Sequence, residues 1–239
     1  MDHQYDKAIR DITYHDWSEK RSMNEDQIEK LKMLRPLRAT CKECRMCRLG
    51  RMEHQHNNKP LPEPHVFSNM NPSKFVVIGQ NPGYNECVND EPFIGEAGEF
   101  FNETIEKFGL TRDHFYITNA LKCHTPENRK PEIDELENCE PFLRMELKTL
   151  RPKFVITLGA VAFEILCPKL SFSDSLGQLV KSEKFDVNVY AVYHPSPRNM
   201  ADISRKNRFD KDIEVLCTLI TRILASSGQH SAPQADVLP

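Results

Sequence analysis

The run Lys74-Phe-Val-Val-Ile-Gly79 restricts the fold more than any other stretch. It is short, apolar and β-branched, and it stops at glycine, as a strand buried on both faces of a parallel sheet does. An amphipathic helix is predicted after it. Ala97, Phe100, Phe101, Ile105 and Phe108 share one face, and Gly109 stands where a C-cap belongs. Between strand and helix lies a connection of about fifteen residues, long enough in a compact domain to carry function. It contains Gly79-Gln80-Asn81-Pro82-Gly83 and Pro92-Phe93-Ile94-Gly95-Glu96-Ala97-Gly98. Ligands of open α/β sheets bind at the carboxyl ends of strands, where this connection starts.

The same alternation continues down the chain. His114-Phe-Tyr-Ile-Thr-Asn119 is predicted as the second strand, and Pro131 opens a long helix to about residue 150 with Ile133, Leu136, Leu143, Leu147 and Leu150 on its apolar face. Lys153-Phe-Val-Ile-Thr-Leu-Gly159 is the third strand, followed by a helix over Ala160–Cys167. Residues 168–186 read as a polar, turn-rich connection. Asn188-Val-Tyr-Ala-Val-Tyr193 is the fourth strand, leading to His194-Pro195-Ser196-Pro197-Arg198-Asn199, and a last helix is predicted over Arg205–Leu224. Strands alternating with helices imply an α/β three-layer sandwich around a central four-stranded parallel sheet. Asn81, Asn119 and His194 would then converge at one edge of that sheet from three independent loops.

The first connection lacks Gly-x-Gly-x-x-Gly and has no lysine after its glycines, which argues against a dinucleotide or P-loop phosphate cradle. It offers an amide, Asn81, beside a rigid Pro-Gly corner, and an aromatic, Phe93, among small residues. That pairing suits a flat polar ring that is stacked and hydrogen-bonded, such as a nucleobase.

No apolar run approaches the length of a membrane span, and the opening Met-Asp-His-Gln-Tyr-Asp is not a signal peptide, so an intracellular location is expected. Eight cysteines in that setting point to metal or cluster ligation before disulfides. Cys41, Cys44 and Cys47 recur at three-residue intervals, a strong ligation pattern for zinc or an iron–sulfur cluster. Cys87, Cys167 and Cys217 read as structural. The net charge of −3 does not announce nucleic acid, but Lys30, Lys32, Arg35, Arg38, Lys42, Arg45, Arg48 and Arg51 crowd one segment against Glu43 alone. Such a segment either meets phosphates or forms a solvated basic face. A helix is predicted over about residues 24–34, and residues 52–73 read as a loop.

The spacing from Gly79 through Gly98, with His194-Pro-Ser-Pro and the cysteines, resembles the uracil-DNA glycosylase superfamily over about residues 40–225, most closely its iron–sulfur family 4. The resemblance implies a base-excision repair enzyme that flips uracil out of single- or double-stranded DNA and hydrolyses its N-glycosidic bond. It implies a glycosylase-like domain over residues 39–225; by composition and pattern, residues 1–38 read as an N-terminal helical extension and the Ser-, Gln-, Pro- and Ala-rich residues 226–239 as a disordered tail. The protein is expected to act as a monomer.

By the same resemblance, His194 donates to the base oxygen as charge builds on it, and Asn81 places the attacking water. Phe93 stacks on the base, Asn119 reads its edge, and Gly79, Gln80 and Gly83 complete the substrate site. Ser196 and Arg198 contact DNA. The ligands of a [4Fe–4S] cluster would be Cys44, Cys47, Cys123 and Cys139; Cys41 is extra and is an alternative to Cys44. Asn81 stands where family 1 has a water-activating aspartate, and an amide cannot act as a strong base. A weakly catalytic uracil- or single-stranded-DNA-binding protein of the same fold, or a glycosylase for another modified base, is therefore the alternative. Gly83 replaces the tyrosine with which family 1 excludes thymine, leaving Tyr84 or Asn85 as candidates for that task.

Overall fold

The computed structural model describes residues 23–56, 59–61 and 63–226. Most of the expected N-terminal extension and nearly all of the expected tail lie outside them.

Helix α1 covers Glu25–Lys42. Asn24 caps it: its side chain accepts from Gln27 N at 3.0 Å, and Gln27 Oε1 accepts from Asn24 N at 3.1 Å. The sequence suggested an end near Leu34, ahead of Pro36. The helix instead runs through the proline, because Leu31, Leu34 and Cys41 lie on one buried stripe. That stripe packs against a later long helix, and the packing outweighs the one hydrogen bond that proline removes.

Two short strands, β1 (His54–His56) and β2 (Lys59–Leu61), pair antiparallel in the stretch read as loop. The first central strand is β3, Phe75–Gly79. The connection after it holds a short helix, α2 (Tyr84–Asn89), and then α3 (Glu96–Glu106). Strand β4 covers only Tyr116–Asn119, because Arg112–His114 forms a 3₁₀ turn in which His114 Nδ1 accepts from Thr111 N. Helix α4 spans Ile133–Leu150, β5 spans Phe154–Leu158 and α5 spans Ala160–Leu166. A short α6 (Phe172–Ser175) precedes β6 (Leu179–Ser182) and β7 (Val187–Val192). The chain then forms α7 (Pro197–Met200) and α8 (Ile203–Ser226).

The main sheet has five strands in the order β4-β3-β5-β7-β6, and β6 runs antiparallel to β7. The other four are parallel, as expected. The extra strand corrects the reading of residues 168–186 as a connection. It is an edge strand with Leu179 and Lys181 facing outward, so its composition is that of a loop. Ser182 holds it down, donating to Leu166 O at 2.6 Å.

Successive residues of β3 alternate between two cores. Val76 and Ile78 join the side with α1, α4 and α5; Phe75 and Val77 join the side with α3 and α8. The molecule is thus a three-layer sandwich. The chain leaves β3 to one side for β4 and returns to its other side for β5, so the sheet order reverses at β3, where the long connection begins.

Candidate active site

Above the carboxyl ends of β3, β4 and β5 lies a cleft of about 820 Å³. Gln80, Asn81, Gly83, Phe93, Asn119, His194, Ser196 and Arg198 all line it. The three loops singled out in the sequence do converge. Gly79 sits beneath the wall. A Cβ there would lie 2.2 Å from the Phe93 ring and 2.5 Å from Asn119 Oδ1, so ring and amide meet over a position that only glycine can fill. Tyr84 turns away toward Leu61, Val66 and Cys87, and neither it nor Asn85 lines the cleft.

Phe93 has φ +55°, an unfavourable conformation for an aromatic residue that persists only where its surroundings impose it. Here they do. Glu86 Oε1 accepts from Ile94 N at 3.0 Å and from Gly95 N at 2.8 Å. Arg112 donates to the Phe93 carbonyl at 2.9 Å and to the Pro92 carbonyl, while Glu91 fixes its guanidinium. Gly98 lets the turn close, since a Cβ there would fall 2.0 Å from the Phe93 carbonyl oxygen. The Phe93 and His194 rings stand 6.1 Å apart, tilted by 45°.

The Asn81 amide is held by neighbours. Its Oδ1 accepts from Gln80 Nε2 at 2.8 Å, and its Nδ2 donates to Pro82 O at 3.1 Å. Asn119 is buried, and its Oδ1 has no hydrogen-bond partner among the described residues. A buried acceptor without a partner beside a cleft is costly unless a ligand donor satisfies it.

His194 approaches Gly159 closely. A Cβ on Gly159, whose φ is +91°, would stand 3.0 Å from His194 Cβ. Burial pushes the imidazole pKa down to about 4, against a smaller opposing pull from Glu86. The ring is therefore neutral at neutral pH, able to donate one N–H without carrying charge. Asn199 Nδ2 donates to the His194 carbonyl at 2.9 Å, and Arg205 Nη1 donates to Asn199 Oδ1 at 2.9 Å. Glu86, Arg112, Gly159, Asn199 and Arg205 were not assigned from sequence. Glu86 lies inside the first motif; Arg112 and Asn199 grip main-chain oxygens, which leave no spacing pattern.

The cysteines gather in the core on the α1 and α4 side of the sheet. Cys41, Cys47, Cys123 and Cys139 belong to one buried cluster, with Cys44 half-buried against it. Burial, reinforced by the neighbouring thiols, pushes Cys123 well up. Burial also raises Cys41, and raises Cys139 to about 12. Lys122 N donates to Cys139 Sγ at 3.2 Å. No three His, Cys, Asp or Glu side chains among the described residues stand in a closed metal-binding arrangement. The donor set itself is all sulfur, drawn from three segments, and suits a soft metal or an iron–sulfur cluster. Cys41, the expected alternative to Cys44, is buried here as deeply as Cys47, Cys123 and Cys139.

The basic segment divides. Arg38 and Lys42 both pair with Asp90, at 2.5 and 2.6 Å, and Lys30 pairs with Asp26. Arg45, Arg48 and Arg51 remain exposed. Among the described residues no helix is long and apolar enough to cross a membrane.

A profile described as "Uracil DNA glycosylase superfamily" matches residues 66–217, more than half of the chain. A type-4 uracil-DNA glycosylase of Archaeoglobus fulgidus is 34% identical over 131 residues, covering 52% of this chain and 66% of that protein. One from Saccharolobus solfataricus is 35% identical over 133 residues, covering 52% and 61%. A type-5 uracil-DNA glycosylase of Pyrobaculum aerophilum is 36% identical over 116 residues, covering 47% of each. The chain thus spans less than two thirds of these relatives' lengths.

Proposed function

The chain belongs to the uracil-DNA glycosylase superfamily, on the side of its type-4 members, and from that premise we propose that it excises uracil from DNA by hydrolysing the N-glycosidic bond. The observation that carries this reading is the buried Asn119 Oδ1 beside the Phe93 ring, which has no partner among the described residues. Uracil N3 bears a hydrogen that this oxygen accepts. Cytosine presents a lone pair there and is repelled.

The flipped base stacks on Phe93 and is read by Asn119. As the C1′–N1 bond breaks, its electron pair leaves on the base, and His194 donates an N–H to the base oxygen that gains the charge. A neutral imidazole suffices for this, since one of its ring nitrogens carries an N–H. Asn81, held by Gln80, orients the water that attacks C1′. Ser196 and Arg198 on the rim bind the flanking backbone, and residues 39–225 form the functional unit, acting as a monomer.

Alkali-labile strand breaks in uracil-containing oligonucleotides, with thymine and hypoxanthine substrates alongside, test the activity. Because Asn81 is an amide and not a carboxylate, a second reading is a uracil-DNA binder with little turnover. Retarded DNA without strand breaks would favour it.

Cys44, Cys47, Cys123 and Cys139 would hold a [4Fe–4S] cluster, with Cys41 the alternative to Cys44. When bound, the cluster supplies a cross-link between the segment after α1, the turn after β4 and helix α4. Anaerobically purified protein is expected to be brown with about four iron atoms per chain. Cys139→Ala should lose them. Iron counts of Cys41→Ala and Cys44→Ala decide between those two, and stoichiometric zinc without iron would refute the cluster.

DNA affinity is expected to fall with salt. Arg45→Gln with Arg48→Gln should reduce the slope of log K against log salt by about 0.9 per lost duplex contact. Arg38→Gln should leave the slope alone, because Asp90 already occupies that side chain. An unchanged slope in the double variant would make the exposed arginines a solvated face.

A further inference from the structure

The buried ion pair between the sulfur cluster and the cleft has no part in the chemistry above. Lys122 and Glu146 are both fully enclosed. The Lys122 ammonium donates to Glu146 Oε2, to Thr118 Oγ1 at 2.5 Å and to the Asn119 carbonyl at 2.9 Å, which uses all three of its N–H bonds. Glu146 Oε1 accepts from Tyr116 OH at 2.7 Å and faces Thr118 Oγ1 at 2.9 Å. The opposite end of Lys122 faces the thiols: its backbone N–H is the donor to Cys139 Sγ.

Burying two charges is a poor way to stabilise a core, since well-packed apolar residues generally serve as well. The position of this pair is more informative than its energy. The Asn119 side-chain oxygen has no partner among the described residues, so the amide depends on its own backbone and on the slot over Gly79 for orientation. That backbone is fixed at two points. β3 pairs with it through Gly79, and the ammonium holds its carbonyl.

We propose that Lys122 is a positioning residue for base recognition: its ammonium, balanced by Glu146, fixes the Asn119 peptide, and its N–H on Cys139 makes it the link between the sulfur centre and the cleft. This inference rests on the uracil-reading role of Asn119 proposed above. Lys122 touches neither base nor sugar. Its loss acts on binding of the base more than on bond cleavage.

The test compares three proteins for free-uracil affinity, single-turnover uracil excision, thermal midpoint and iron content. Lys122→Met alone strands a buried carboxylate, so the double variant Lys122→Met/Glu146→Met carries the comparison. It is expected to keep its iron and a thermal midpoint near the parent's, and to bind uracil about tenfold more weakly or worse, the loss of one charge-assisted hydrogen bond in the positioning of the amide. Glu146→Gln keeps the ammonium on the Asn119 carbonyl, so it should lose more in thermal midpoint than in uracil affinity. A double variant that binds uracil as the parent does overturns the inference. So does a Glu146→Gln protein whose uracil affinity falls in step with its stability, whether or not the double variant folds. A parent that neither binds nor excises uracil overturns the function reading instead, which separates the two failures.

Discussion

Single-turnover excision of uracil by His194→Ala is expected to run about 10²–10³-fold below the parent, the usual cost of losing one donor aimed at developing charge. DNA binding should be almost unchanged, because the donated bond strengthens only as the base departs. Asn81→Ala should cost less, since an amide orients a water and takes no proton. Asn81→Asp, which restores a carboxylate, is expected to accelerate excision. The pH profile offers a separate check. The His194 pKa lies near 4, so the imidazole stays neutral as the pH falls through 6.5, where an exposed histidine would gain charge. Any acid limb belonging to His194 should be centred near 4. A His194→Ala protein that excises at the parental rate would remove the residue from the mechanism.

Gly98→Ala is expected to weaken uracil binding, and to cost roughly 1–3 kcal/mol of folding stability through overpacking. The added methyl would meet backbone, not a pliable side chain. The Phe93 carbonyl must therefore move, taking the ring with it and loosening the grip of Arg112. Arg112→Ala should produce a smaller loss of the same kind, by releasing the strained φ of Phe93 from one of its restraints. Both variants should raise KM more than they lower kcat. Parental uracil binding in Gly98→Ala would mean that Phe93 is not the stacking platform.

The parts of the site visible in the sequence were those at strand ends. Asn119 and His194 could be placed because each follows an apolar run that has only one reading. Asn81 and Phe93 could be placed because the glycines and prolines around them have few conformations. The helix through Pro36 was hidden because its continuation depends on α4, about a hundred residues downstream. Strand β6 was hidden because an edge strand with one exposed face has the composition of a loop. Arg112 and Asn199 grip main-chain oxygens, which any sequence supplies, so spacing cannot reveal them. The pairing of Lys122 with Glu146 crosses from a turn to a helix, and neither residue is apolar enough to announce that it is buried.

The docking of α1 on α4 also sets an order of assembly. Leu31, Leu34 and Cys41 have no core to enter until residues 133–150 have formed a helix. The same helix carries Cys139, and β5 directly follows it to take its place beside β3. Closing contacts of such long sequence separation is slow, because chain entropy is lost before packing repays it. On the ribosome the first sulfur segment therefore emerges well before its partners. Cysteines 41, 44 and 47 must wait, reduced and accessible, for the second half of the chain. The chain's vulnerability to oxidants and stray metals is thus greatest during synthesis and falls once α4 closes over the thiols.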